Sequence, residues 1–162
     1  KQAKLISSWG KNVNVKIPIT TTRGEKLYDV IKTLSNEGVQ INITAILTLD
    51  QVKRTAESLN KDVYSIISVF AGRIADTGID PKETIRESKS YLKNLPNANI
   101  LWASPRQVFN ILEAEHSGAD IITITPELLK KASNFGKSLD KLSLETVQMF
   151  YNDAKNAGYK ID

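Results

Sequence analysis

The sequence predicts an α/β protein, in which strands and helices alternate and the strands form one parallel sheet. Short apolar runs with a period of two alternate five times with longer segments of helical period. Each round takes roughly the thirty residues that a strand–helix–strand unit requires. Because such crossovers are right-handed, successive strands lie parallel in one sheet.

The predicted strands are apolar runs bounded by turn residues. They cover residues 13–20, 39–45, 63–70, 99–103 and 120–124. The first strand alternates apolar residues with Asn14 and Lys16, and Pro18 marks its C-terminal end because proline cannot donate to a sheet. The second strand repeats this alternation with Asn42 and Thr44.

The predicted helices begin where a capping side chain precedes an amphipathic segment, and several end at a glycine. Residues 1–9 have the pattern of a helix, and the last predicted helix ends near residue 156. The other predicted starts lie at Thr22, Thr48, Asp80, Ser104, Thr125 and Ser143. The predicted C-terminal glycines are Gly10, Gly38 and Gly118.

Two architectures fit this alternation, an open doubly wound sheet and a (β/α)8 TIM barrel. An open sheet that binds nucleotides carries a Gly-rich phosphate turn, and the sequence has none. Polar residues at alternate positions of two successive strands favour a barrel with a functional lumen. We therefore expect residues 1–162 to form a single domain that is part of a (β/α)8 barrel.

The composition argues against several kinds of site and partner. Cysteine is absent and His116 is the single histidine, which excludes thiolate and all-histidine zinc sites within one chain. The sequence has no bilayer-length apolar run and no signal-peptide pattern, so we expect a cytoplasmic protein without a membrane partner. The net charge of +4 suits small anionic substrates, and no basic stripe with interleaved aromatics indicates nucleic acid.

The functional interpretation depends on Lys16. A lysine in mid-strand, with the apolar residues on the other face, points either to solvent or into a polar interior. The residues alone favour a solvated edge, because most lysines of soluble proteins are exposed. The alternative is a lysine inside a barrel, one step before the strand end that Pro18 marks.

Four motifs lie at the ends of four consecutive predicted strands. They are V-K-I-P-I-T at 15–20, N-I-T at 42–44, S-V-F-A-G-R at 68–73 and A-S-P-R at 103–106. In this order and spacing they resemble the transaldolase family, which includes the fructose-6-phosphate aldolases. The resemblance implies a (β/α)8 barrel of which this chain supplies about strands 4 to 8. It also implies a Schiff base between Lys16 and a substrate ketone, with no metal and no cofactor.

The resemblance implies roles for the other polar residues of these motifs. Thr44 would help to hold a water for proton transfer, and Asn42 would contact the substrate, although both could also fill the barrel as satisfied polar groups. Arg73, Ser104 and Arg106 match the residues that hold the substrate's terminal phosphate, which guanidinium groups bind bidentately.

The A-S-P-R motif departs from the family and has a second interpretation. Ser104 is also the predicted cap of a helix, a role compatible with an anion at the helix N-terminus. The family usually has an aromatic residue where this chain has Pro105.

Phe70 bears on the reaction type. In the lysine-bearing family, tyrosine at this position accompanies simple aldolase activity and phenylalanine accompanies transaldolase activity, so the resemblance favours transaldolase. Packing of the lumen is the alternative role of the ring. Ser68 faces the same way by strand parity and would line the substrate pocket.

The predicted barrel is incomplete, with five of the eight strands of a complete barrel. The family's first three strands, with their acid–base residues, have no counterpart here. We therefore expect the C-terminal part of a transaldolase that transfers a dihydroxyacetone unit between sugar phosphates, with aldolase-type cleavage of a ketose phosphate as an alternative. A different hypothesis is a non-catalytic remnant that binds sugar phosphates or pairs with another chain. A homo-oligomer is compatible with each hypothesis.

Overall fold

The computed structural model describes Lys1–Lys160, which contain a five-stranded sheet in the order β1-β2-β3-β4-β5. All neighbouring strands are parallel. The strands are β1 (Val15–Pro18), β2 (Ile41–Ile46), β3 (Ser65–Val69), β4 (Ala98–Trp102) and β5 (Ile121–Ile122). A doubly wound sheet reverses its strand order at a switch point, and this sheet does not. The α/β class is confirmed, and the sheet with its helices is part of a (β/α)8 barrel.

Helices follow the strands along the chain, as the alternation predicts. They are α1 (Gln2–Ser7), α2 (Tyr28–Asn36), α3 (Leu49–Ser58), α4 (Ala71–Ala75), α5 (Pro81–Tyr91), α6 (Asn110–Ser117), α7 (Pro126–Lys131) and α8 (Leu139–Asn156). A 3₁₀ turn at Ala132–Asn134 lies between the last two. Part of the chain between β3 and α5 is helical, and the sequence pattern did not predict α4.

The chain divides into two compact units, and the boundary follows Thr125. The first unit, Lys1–Thr125, contains all five strands and the helices α1 to α6. The second begins at Pro126 and contains α7, the 3₁₀ turn and α8. The single domain over residues 1–162 stays a prediction.

The main hydrophobic core lies on one face of the sheet, where the helices pack. Ile31 of α2, Val52 of α3 and Ile85 of α5 are fully buried there, in one cluster with Ile43 and Ile67 of the sheet. Burying each such side chain stabilises the fold by roughly 1.5–3 kcal/mol. The helix-side core therefore fixes which face of each strand turns away from the helices.

The side chains that alternate with this core form a second face, which we call the lumen face. Ile66, Leu101 and Ala103 form a small buried cluster on it, and Tyr64 and Phe70 pack against that cluster. By strand parity the lumen face also carries polar side chains, namely Lys16, Asn42, Thr44 and Ser68. The predicted placement of apolar and polar residues on opposite faces is confirmed for β1 and β2.

Two predicted helix boundaries near the N-terminus are wrong. The helix predicted to begin at Thr22 begins only at Tyr28, because Gly24 adopts φ +83°, which no α-helix accommodates. Residues 20–26 instead form a turn closed by the Thr21 hydroxyl, which donates to the Glu25 carboxylate and accepts from the Glu25 N–H. Gly10 is not a C-cap, since α1 ends at Ser7.

Later boundaries are partly confirmed. The Thr48 capping box forms with Gln51, and Asp80 caps α5 by accepting from the Lys82 N–H. Gly118 ends α6 in the left-handed region, at φ +84°. The predicted cap at Ser104 is wrong, because α6 begins only at Asn110. The last helix begins at Leu139, earlier than predicted, and β5 is reduced to two residues.

Candidate active site

The register of β1 and β2 places the first three candidate residues together. Lys16 lies opposite Asn42, and Pro18 lies opposite Thr44. Because the strands are parallel, their C-terminal ends meet at the same edge of the sheet, where catalytic groups of barrel enzymes lie. Lys16 itself is exposed on the lumen face. Among the described residues, no side chain forms a hydrogen bond or ion pair with its amine.

Asn42 is oriented by the neighbouring strand. The hydroxyl of Ser68, a residue that is 1% exposed, donates to the Asn42 side-chain oxygen over 2.7 Å. That bond leaves the Asn42 amide nitrogen, with its two donors, uncommitted among the described residues. Ser68 therefore fixes Asn42 as a donor on the lumen face, beside Lys16.

Thr44 lies at an irregularity of β2. The pairing of β2 with β3 shifts register between Ile43 and Ile46, and Ala45 adopts φ +61°. A residue other than glycine in that region stores backbone strain of order 1–3 kcal/mol, and such strain concentrates at functional sites. The Thr44 hydroxyl oxygen is buried without a hydrogen-bond partner in the described part of the chain. Its hydrogen-bonding capacity is therefore unused by the described residues.

Phe70 and Arg73 lie where β3 passes into α4. The Phe70 N–H donates to the Ile46 carbonyl over 2.8 Å, which places the ring at the end of the lumen face. The guanidinium carbon of Arg73 lies 5.5 Å from the centre of the Phe70 ring, within cation–π range. Phe70 thus packs against the lumen cluster on one side and against an exposed arginine on the other.

Ser104 and the start of α4 are held together by a close backbone approach. The Gly72 N–H donates to the Ala103 carbonyl, and a Cβ built on Gly72 would lie 1.5 Å from the Ser104 carbonyl oxygen. Only glycine leaves room for that carbonyl. Ser104 has φ +59°, a strained conformation that no helix N-cap adopts. The contact brings the segment of Arg73 next to the segment of Ser104.

Arg106 is fixed at its backbone and at its side chain. The Asn110 side-chain oxygen accepts from the N–H groups of Arg106 and Gln107, over 2.7 and 3.0 Å. The Arg106 guanidinium binds Asp76 through Nε, which lies 3.1 Å from both carboxylate oxygens. This hydrogen bond lowers the pKa of Asp76 and raises that of Arg106. The charge of Arg73 lowers the pKa of Asp76 further.

Three positions around this site were not predicted from the sequence, namely Gly72, Asp76 and Asn110. Asp76 pairs with Arg106, 30 positions away, and Arg106 precedes the helix that begins at Asn110, so no helical spacing indicates either residue. Asp76 and Arg106 line an open cavity of about 470 Å³, which a ligand can reach.

Within Lys1–Lys160, no group of three or more His, Cys, Asp or Glu side chains could hold a metal ion. In the same range, we find no helix with the length and apolar character that crossing a membrane requires.

Comparisons with known proteins connect this geometry to a family. A family model described as Transaldolase/Fructose-6-phosphate aldolase matches residues 1–162. A "Probable transaldolase" of Nitrosopumilus maritimus is 35% identical over 146 residues, which are 89% of this chain and 61% of that protein. A "Probable transaldolase" of Parvibaculum lavamentivorans is 31% identical over 166 residues, covering 99% and 69%. "Probable transaldolase 2" of Listeria monocytogenes is 36% identical over 132 residues, covering 81% and 57%.

The matches cover only part of each relative, from 57% to 69% of its length. Among solved structures, a designed cube-shaped protein cage matches 99% of this chain and 72% of its own chain, with a TM-score of 0.32 and 12% identity. A likeness that weak carries no argument. The family model covers the whole sequence. The four motifs of this sequence lie on the lumen face and at the strand ends described above. The chain belongs to the transaldolase/fructose-6-phosphate aldolase family.

Proposed function

We propose that this chain is the C-terminal part of a transaldolase, which transfers a dihydroxyacetone unit between sugar phosphates through a Schiff base on Lys16. The observation that carries the proposal is the position of Lys16 on the lumen face, beside Asn42 and with no side-chain partner among the described residues. A lysine without an ion-pair partner at the C-terminal end of a barrel strand is in the position that a nucleophile needs to attack a substrate carbonyl. Family membership supports the same reaction class.

In the proposed reaction, the Lys16 amine attacks the ketone carbon of the donor sugar, and loss of water gives an iminium. The hydroxyl on the carbon beyond the scissile bond loses its proton and becomes an aldehyde as that carbon–carbon bond breaks. The electron pair of the broken bond moves to the iminium nitrogen. The aldose leaves, and the enamine carbon attacks the aldehyde carbon of the acceptor. Hydrolysis of the new iminium then frees Lys16.

The neighbours of Lys16 would bind and orient the reacting groups. Asn42, held by Ser68, would donate its amide hydrogens to a hydroxyl of the dihydroxyacetone unit. The unpartnered Thr44 hydroxyl would hold the water that carries protons. The five strands contain no Asp or Glu. We therefore propose that the acid–base carboxylates come from parts of the barrel that this sequence does not include.

Arg73, Ser104 and Arg106 would hold the terminal phosphate of the sugar. Their segments meet at the contact between Gly72 and Ser104, and both arginines are exposed. Guanidinium groups can bind the oxygens of a phosphate bidentately, and Arg106 keeps free N–H groups beside its pair with Asp76. This arrangement supports phosphorylated sugars as the substrate class.

Phe70 supports transfer over simple aldol cleavage. A phenyl ring has no hydroxyl with which to position a water, so the enamine is less readily protonated and survives to meet an acceptor aldehyde. Cleavage of a ketose phosphate without transfer is the second candidate function. Binding without turnover is the third, and the absence of carboxylates from the five strands favours it for the isolated chain. A cytoplasmic location and a homo-oligomeric state remain predictions.

Trapping of the Schiff base tests the central assignment. The protein, extended upstream to the length of its relatives, is incubated with fructose 6-phosphate and sodium borohydride. We expect the mass of the reduced adduct on the peptide that contains Lys16, and no adduct in Lys16→Arg. Labelling of another lysine in both proteins would refute the assignment.

A further inference from the structure

Asp76 binds one particular edge of the Arg106 guanidinium. Nε of Arg106 lies 3.1 Å from each carboxylate oxygen of Asp76, and Nη2 lies 2.5 Å from Oδ2. This is the side-on pairing, which uses the Nε–H and one Nη2–H. The opposite edge keeps both Nη1 hydrogens and the second Nη2 hydrogen, and no described residue accepts from Nη1. The arginine therefore keeps free N–H groups on Nη1 and Nη2, which can bind another anion bidentately.

The ion pair contributes little to the stability of the fold. The side chains of Arg106 and Asp76 are 50% and 49% exposed, and water screens exposed pairs of this kind. The pair has a defined geometry, in which Nε and Nη2 of Arg106 face Asp76. A function in positioning therefore explains the pair better than a function in stability.

Both partners are anchored to the same corner of the fold. The Asp76 N–H donates to the Gly72 carbonyl over 3.0 Å, and Gly72 packs against the Ser104 backbone. On the other side, the Arg106 N–H donates to Asn110, which is 7% exposed. Asp76 therefore ties the Arg106 side chain to the turn of α4 that carries Arg73.

We propose that Asp76 is a positioning residue for phosphate recognition, which holds Arg106 so that its free edge and Arg73 meet the same phosphate group. This inference rests on the proposed function, since it assumes that Arg106 binds the substrate phosphate. Asp76 acts through Arg106 and does not contact the substrate. A carboxylate close to a phosphate also repels it, so the two effects of Asp76 on binding have opposite signs. Positioning is the larger effect in this proposal.

The protein extended upstream to the length of its relatives shows whether Asp76 strengthens or weakens binding of the phosphate. Asp76→Asn keeps the shape of the side chain but loses the charge that fixes both Nε and Nη2. We expect KM for fructose 6-phosphate to rise about threefold to fivefold, the most that an exposed ion pair contributes, with kcat changed less than twofold. Both constants for unphosphorylated fructose should stay unchanged, and Asp76→Glu should recover part of the loss. An unchanged or lower KM in Asp76→Asn would overturn the proposal.

Two controls separate this inference from the proposed function. Glu83→Gln removes a carboxylate that pairs with Arg86 on α5, and it should leave KM unchanged. In an Arg106→Ala background, Asp76→Asn should not raise KM further, and an additional rise of about threefold to fivefold would overturn action through Arg106. If Arg106→Ala alone leaves KM for fructose 6-phosphate unchanged, the phosphate role of Arg106 fails. If Arg106→Ala raises KM and Asp76→Asn does not, only the positioning role fails.

Discussion

The two sides of the candidate site differ in how much of their surroundings this chain supplies. We call Arg73, Ser104 and Arg106 the phosphate side. There, Asp76 holds the guanidinium of Arg106, and the Ser104 backbone rests against Gly72. The phosphate side is thus assembled from contacts within the described chain.

We call Lys16, Asn42 and Thr44 the lysine side. Its contacts with the described chain come from β3 and are absent beyond β1. Asn42 is held by Ser68, but Lys16 is exposed and the Thr44 hydroxyl is without a partner in the described part of the chain. β1 is an edge strand, so its second neighbour in a closed barrel must come from elsewhere. In the proposed function, binding of the phosphate and activation of the lysine are therefore separable.

The largest effect should come from the length of the chain. Residues 1–162 alone should turn over ketose phosphates at least ~10²-fold to 10⁴-fold more slowly than the protein extended upstream, because general acid–base groups contribute that much. Steady-state assays of the two proteins measure the ratio, and amide exchange confirms that the short chain is folded. Full activity in the folded short chain would show that the lysine side is already complete.

Loss of Arg73 should affect phosphorylated substrates selectively. Arg73→Ala should cost about 2–4 kcal/mol in transition-state binding of a sugar phosphate, as the loss of a charged hydrogen-bond pair does. Comparison of kcat/KM for fructose 6-phosphate and fructose measures it in the extended protein. Arg86→Ala, which removes an exposed arginine of α5 that pairs with Glu83, is the matched control. Equal losses on both substrates would indicate a damaged fold and no phosphate site.

Substitution of Gly72 should separate the geometry of the phosphate side from its charge. Gly72→Ala places a Cβ on the Ser104 carbonyl, and displacement of that backbone should destabilise the fold by about 1–3 kcal/mol. Urea unfolding measures the change. Gly10→Ala is the control, because its Cβ would meet the flexible Asn12 side chain at 2.9 Å and the Val13 side chain at an ordinary 3.8 Å. Wild-type stability in Gly72→Ala would mean that the Ser104 segment is free to move.

The sequence predicts best where local chemistry decides the structure. The alternation of apolar and polar residues in β1 and β2 identifies the lumen face, because strand side chains alternate strictly. The caps at Thr48 and Asp80 also form as predicted, since each side chain bonds to the backbone within three residues. The family resemblance, which depends on four short motifs, is confirmed over the whole sequence.

Prediction fails where a long-range contact or an unusual φ decides the structure. Ser104 has the sequence of a helix cap, but its carbonyl packs on Gly72 and its φ is +59°. The pair of Asp76 and Arg106 joins residues 30 positions apart, which no local pattern encodes. The helix α4 is short and has no side-chain cap, so it lacks the signals by which a helix is recognised.

Phe70 lies between the two sides, and its substitution should have the smallest effect. Phe70→Tyr adds a hydroxyl at the edge of the lumen cluster, on a ring that contacts Arg73. That hydroxyl can position a water to protonate the enamine, so the share of aldol cleavage should rise several-fold at the expense of transfer. The change corresponds to about 1 kcal/mol in the relative barriers. Product analysis with and without an acceptor aldose in the extended protein measures the partition. An unchanged partition would mean that Phe70 acts only in packing and that the reaction type is decided on the lysine side.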